Sequence, residues 1–228
     1  MLRLITDFDG PIMDVSERYY RVYQLCLEQA QRPDQEIRVL PKQEFWNMKR
    51  SRVPETQIGI LSGLDETQAA EFAQNRRKTV HTMPYLVYDQ PVPGAVETLE
   101  RIQQAGIDLV VMTMRRVREL DEAFTRCDLG RFFPPEKRYC LPNDYVKTGD
   151  TKDKPLLMAR ALAELSPADD VWMVGDTEAD IIAAKTHGVK VMGALCGIRD
   201  RAQLELHQPD LIVNNLAAAV DLLLTVNS

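Results

Sequence analysis

Histidine is scarce in this chain of 228 residues, and His81, His187 and His207 lie too far apart to suggest an imidazole metal site or a Ser-His-Asp triad. The four cysteines, Cys26, Cys127, Cys140 and Cys196, have no short spacing between any two. That excludes a zinc knuckle or CxxC redox site and leaves small thiols of a cytosolic protein. No block of basic residues occurs, and 28 Lys+Arg against 34 Asp+Glu give a net charge of −6. Nucleic acid and anionic membranes are therefore poor partners. No apolar run approaches the roughly 18 residues of a membrane helix. The start, Met1 to Asp9, already holds two aspartates and does not read as a signal peptide. Internal repeats and low-complexity tracts are absent as well, and 45% hydrophobic with 27% charged residues exclude a disordered chain.

What is present is a succession of short apolar runs, each followed by a helical pattern. Leu2–Thr6 reads as a buried strand stopping at Asp7-Phe8-Asp9-Gly10-Pro11. Apolar positions from Tyr19 to Ala30 then recur at helical spacing, with Asp14 or Ser16 as N-cap. Residues 31 to 90 carry more charge and aromatics, a helix from about Asp65 to Val80, and no clear strand. After the break at Pro91-Val92-Pro93-Gly94 the order is regular. Helices are expected at Ala95–Ala105, Val117–Arg126, Lys154–Leu165, Glu178–His187 and Leu216–Leu224. Strands are expected at Ile107–Met112, Val171–Val174, Val189–Ala194 and Leu211–Val213. Apolar strands without polar alternation require a parallel sheet covered on both faces. The expected fold is α/β: a Rossmann-like three-layer core of residues 1–14 and 91–228, split by a mainly α-helical insertion of residues 15–90.

In such sheets ligands bind beyond the carboxyl ends of the strands. Those ends carry Asp7 and Asp9, then Thr113, then Asp176 followed by Asp180, with Lys154 opening a helix between the last two strands. Two carboxylates ~4 Å apart repel by about 4 kcal/mol at an effective dielectric near 20. Several together need a cation or raised pKa values. A hard divalent ion with oxygen ligands answers that need, and Mg2+ suits a site that also holds phosphate.

The ordered set Asp7-Phe8-Asp9-Gly10, Thr113, Lys154-Pro155 and Gly175-Asp176-Thr177-Glu178-Ala179-Asp180 resembles the four motifs of the haloacid dehalogenase superfamily, and its phosphoglycolate phosphatase-like members in particular. The resemblance implies a phosphomonoesterase. Asp7 would be the nucleophile that forms an aspartyl-phosphate, and Asp9 the general acid and then base. Asp7, Asp9 (through its backbone carbonyl), Asp176 and Asp180 would hold Mg2+, while Thr113 and Lys154 would bind phosphoryl oxygens. Lys152 is the other candidate for the lysine role. Asp9 sets the chain apart from the dehalogenase and phosphonatase branches, which lack it. Pro11 stands where the family usually has Thr or Val, and removes one backbone N–H.

The insertion resembles the superfamily's helical cap, which closes over the substrate and reads the leaving group. Lys49, Arg50 and Arg52 are candidates to pair with a second anionic group, and Arg115 and Arg116 to reach the mouth of the site; Arg76-Arg77-Lys78 reads as helix surface. The resulting expectation is a cytoplasmic, Mg2+-dependent phosphatase acting on a small phosphorylated metabolite, with no nucleic-acid or membrane partner. A phosphosugar mutase shares all four motifs. A binding protein that uses the fold without chemistry is the reading from another class.

Overall fold

The computed structural model describes residues 1–226, and divides them into two compact units. The larger joins Met1–Asp14 to the chain from Gln90 onward; the smaller is Val15–Asp89.

In chain order the larger unit contributes β1 (Leu2–Thr6) and the two-residue β2 (Met13–Asp14). The smaller unit follows with α1 (Ser16–Ala30), α2 (Lys42–Arg50), α3 (Glu55–Leu61), α4 (Glu66–Thr79) and α5 (Met83–Leu86). The larger unit resumes with β3 (Gln90–Pro91), α6 (Ala95–Gln104), β4 (Asp108–Arg116), α7 (Val117–Cys127) and β5 (Arg138–Leu141). It ends with α8 (Asp150–Glu164), β6 (Asp170–Gly175), α9 (Glu178–Thr186), β7 (Lys190–Ala194), α10 (Arg201–Glu205), β8 (Leu211–Val213) and α11 (Leu216–Val226).

Six strands form one parallel sheet in the order β5-β4-β1-β6-β7-β8. Successive strand residues face opposite sides, so an apolar run must be buried twice. Leu4 and Val111 belong to the core beneath α6, α7 and α11, with Leu99, Phe124 and Val220. Ile5, Val110 and Met112 belong to the other core, with Met158 of α8, Ile181 of α9 and Leu204 of α10. This is the three-layer α/β arrangement. β2 and β3 pair antiparallel where the chain leaves and re-enters the unit, so Gln90, expected in the insertion, sits opposite Asp14 in the larger unit.

Several boundaries differ from the expected ones. β4 continues past Thr113 to Arg116, with a register shift against β5 between Met112 and Arg116. β5 was not foreseen: it is four residues at the sheet's edge, with only Tyr139 and Leu141 buried. α8 begins at Asp150, so Lys154 lies in its second turn instead of opening it. The Asp153 carboxylate accepts the N–H of Thr148 (2.8 Å) and of Gly149 (3.1 Å), fixing the chain just before the helix. The N-cap position of α1 is Val15, between the expected Asp14 and Ser16, and its side chain makes no capping bond.

The smaller unit has its own core. Tyr23 stacks on Phe45 with centroids 4.7 Å apart and meets Phe72 edge-on at 6.1 Å. The Tyr23 hydroxyl lies 2.9 Å from Ser62 Oγ and accepts the Leu40 N–H at 2.9 Å, which satisfies a polar atom inside that core. α4 starts with a capping box between Asp65 and Gln68. Arg76 corrects the surface reading of its segment: it is buried, one helical turn beyond Phe72, pairs with Glu55 and lies over the Phe45 ring. Burial pushes Glu55 up, but Arg76 and Lys49 together hold it below its ordinary value.

Candidate active site

Parallel register brings the first two carboxylates together. Thr6 lies opposite Val174, so β1 and β6 end side by side, with one carboxylate just past each end. These are Asp7 and Asp176, and the Asp7 N–H to Val174 carbonyl bond (2.8 Å) extends the pairing to the strand's end. Asp180 arrives by a helix cap. Thr177 is the N-cap of α9, and its N–H (3.0 Å) and hydroxyl (2.7 Å) both donate to Asp180 Oδ2. The other oxygen, Oδ1, faces Lys154. Carboxylate oxygens of Asp7, Asp176 and Asp180 lie within 4.8 Å of one another, and all three residues are buried.

Lys154 is the cation at this cluster. It is 1% exposed and pairs with Asp7 Oδ2 at 2.8 Å and with Asp180. Burial works against its ammonium, yet Asp180 and Asp7 hold its pKa above the ordinary value. Lys152 is exposed, and it is Lys154 that the structure brings to the carboxylates. Asp7 Oδ1 accepts the Phe8 N–H at 2.7 Å. Burial pushes Asp7 well above the usual carboxylate range against the pull of Lys154, and Asp180 and Asp176 push it further. Asp176 is pushed up to about 7 by burial and by Asp180, while the Ile198 N–H, 2.6 Å from its Oδ2, pulls the other way.

Three glycines make room for the carboxylates. A Cβ on Gly10 or Gly197 would collide with Asp176, and one on Gly175 with Asp180. Gly10 also has φ +91°, which side chains rarely adopt. The loop it opens is held by Ile12 N–H (3.2 Å) and Met13 N–H (2.9 Å) to the Phe8 carbonyl, and by Gly10 N–H to Met13 O (2.8 Å). None of these bonds involves residue 11, so the loop holds this turn with Pro11 in place.

Thr113 is buried near the end of β4, where its Oγ1 accepts the Arg115 N–H at 3.2 Å. The hydroxyl proton is thereby left to donate elsewhere. Asp9 stands apart from the three-carboxylate group. Its Oδ1 takes Arg115 Nη2 at 2.6 Å and Nε at 2.9 Å. Arg115 is therefore not at an open mouth: it is 4% exposed and committed to Asp9. Arg116 is half-buried and pairs with Glu119 at 3.4 Å. Lys49, Arg50 and Arg52 belong to the smaller unit, where Lys49 pairs with Glu55, Arg50 ends α2 and Arg52 is exposed in the turn after it. The segment 197–198 was missed by sequence reasoning; it serves Asp176 through a missing Cβ and a backbone N–H, and only Gly197 could have signalled it.

Residues 3–188 match the haloacid dehalogenase-like hydrolase family. The chain belongs to that family. Among its relatives, the phosphoglycolate phosphatase of Pseudomonas fluorescens is 26% identical over 161 residues, 69% of this chain and 56% of that one. Pyrophosphatase PpaX of Bacillus cereus is 22% identical, with 73% of this chain and 74% of the other covered. The chain spans about half the length of the phosphoglycolate phosphatases it matches (56%, 48% and 44%). A provisionally named phosphatase from Clostridium difficile shares the fold, with a TM-score of 0.73 at 20% identity over 98% of this chain and 99% of that one.

The donor set of this haloacid dehalogenase-like hydrolase fits a hard divalent cation. Three buried carboxylates meet one lysine, all donors are oxygen, and the surrounding glycines keep bulk away. A pH-dependent consequence follows. A carboxylate whose folded pKa exceeds its unfolded value holds its proton more tightly in the native state, so stability is lost as pH rises between the two values. Wild-type protein without metal should therefore lose melting temperature relative to Asp176→Asn between about pH 4 and about pH 7. Saturating Mg2+ should reverse that loss in the wild type and not in the variant. Parallel melting curves that keep a constant separation across the range would remove the electrostatic account of Asp176.

Proposed function

We propose that the protein is a cytoplasmic, Mg2+-dependent phosphomonoesterase for a small phosphorylated metabolite, working through an aspartyl-phosphate on Asp7. The observation that carries this reading is the buried group of Asp7, Asp176 and Asp180 with Lys154 paired to two of them. Asp7, Asp176, Asp180 and the backbone carbonyl of Asp9 would hold the ion. Bound there, Mg2+ supplies charge neutralisation for phosphoryl oxygens near the carboxylates.

A carboxylate oxygen of Asp7 bonds to phosphorus while the ester P–O bond breaks, and Asp9 gives its proton to the departing oxygen. Water then attacks the phosphorus of the aspartyl-phosphate, giving a proton to Asp9. The bond to Asp7 breaks, and inorganic phosphate leaves. Lys154 and the Thr113 hydroxyl are suited to donate to equatorial oxygens, where charge is spread in the transition state. The inserted unit would act as a cap that reads the leaving group. The relatives named for phosphoglycolate and for pyrophosphate support phosphoryl transfer to water as the reaction class.

The test is phosphate release from a panel of phosphomonoesters and pyrophosphate, with Mg2+ and with EDTA. Release that EDTA abolishes and Mg2+ restores is expected. Well-folded protein that releases nothing would refute the reading. Isomerised sugar phosphate without net release would instead identify a mutase.

A further inference from the structure

One ion pair joins Asp9 to a buried arginine that has no part in the metal group or in the steps assigned above. Arg115 holds Asp9 Oδ1 through two nitrogens, Nη2 at 2.6 Å and Nε at 2.9 Å. Its third nitrogen, Nη1, reaches the Glu119 carbonyl at 3.5 Å, and its carbon lies 5.0 Å from the centre of the Phe8 ring. The backbone is fixed too, by the Arg115 N–H to Thr113 Oγ1 bond of 3.2 Å. At 4% exposure this guanidinium is built into the core unit, whereas the Asp9 side chain is 27% exposed.

We infer that Arg115 is a positioning residue for Asp9. Gripping Oδ1 through two nitrogens of one planar fork sets the carboxylate's rotation and fixes the direction in which Asp9 meets the ester oxygen and then water. Such orientation is what general acid–base catalysis demands, because the proton must move along a short, aligned path. A flexible lysine ammonium could supply charge here but not the two-point hold of a planar fork. The inference rests on the phosphomonoesterase reading, with Asp9 as acid and base.

Leaving-group dependence separates positioning from a structural role. An alkyl phosphate needs a proton on its departing oxygen, while p-nitrophenolate leaves without one. The quantity to compare is kcat/KM, which reports steps through departure of the alcohol. Arg115→Met should lower it by about 10- to 100-fold for glycerol phosphate and by less than about 3-fold for p-nitrophenyl phosphate. In the Asp9→Asn background the same change should cost less than about 2-fold on either ester, because the group it serves is gone. Should Arg115→Met fail to melt cooperatively, Arg115→Lys carries the same comparison, with the alkyl ester again the more impaired. Equal losses on both esters, or losses that multiply with those of Asp9→Asn, would overturn the inference and leave the phosphomonoesterase reading standing. Wild-type protein inactive on both esters would overturn that reading, and the inference with it.

Discussion

Asp7→Asn is expected to lower phosphate release by at least about 10³-fold, the scale at which loss of a nucleophile acts. The side chain keeps its size and can still accept the Phe8 N–H. What it loses is the negative charge that attacks phosphorus and draws Lys154 to Oδ2. The fold should survive, because the same change removes a carboxylate that burial and two neighbouring aspartates strain. Phosphate assays and a thermal melt on one preparation check both halves. Activity within about 10-fold of wild type would place the chemistry elsewhere. A binding protein that merely kept the fold would show no activity to lose.

Lys154→Met should have the largest effect on stability. The lysine is 1% exposed and pairs with both Asp7 and Asp180, so its removal leaves buried carboxylates without the cation they share. Breaking a buried pair from one side costs about 3–5 kcal/mol. For a chain of this size that corresponds to a fall in melting temperature of roughly 10 °C. The loss should be greatest at alkaline pH, where the carboxylates must ionise, and smaller in acid, where Asp7 and Asp176 keep their protons. Divalent cation should recover part of it by supplying charge to the same oxygens. Lys152→Met is the control: that side chain is exposed, and its loss should move the melt by less than about 1 °C. Similar effects from the two substitutions would contradict the assignment of Lys154.

The contrast between these lysines shows what could be read in the sequence and what could not. Asp7, Asp176 and Asp180 were legible because each falls at a strand end or in the first turn beyond it, where a parallel sheet gathers its ligands. The alternation of Leu4 and Ile5 between two cores was likewise implicit in unbroken apolar strands. In the sequence the Lys-Pro resemblance alone favours Lys154 over its competitor Lys152, since which of two lysines two residues apart turns inward depends on where α8 begins. That start is set by Asp153 reaching back to Thr148 and Gly149, a tertiary detail of the loop. The burial of Arg115 was hidden for a related reason. β4 does not stop at Thr113, and residues two apart on a strand share a face, so Arg115 follows Thr113 into the interior. Arg76 followed the inward i+4 stripe of Phe72 despite its charge, because Glu55 lies there to meet it. Ile198 contributes a backbone N–H, a group every residue but proline carries, and no composition could mark it.

Trapping the covalent intermediate tests the central claim most directly. Wild-type protein would be mixed with a phosphomonoester and Mg2+, quenched in acid within the first turnover, digested and mapped by mass spectrometry. A phosphoryl group on the peptide that contains Asp7, absent in Asp7→Asn and in EDTA, is the expected result. Rapid phosphate release in the same experiment with no phosphorylated peptide, or with the label on another residue, would contradict it.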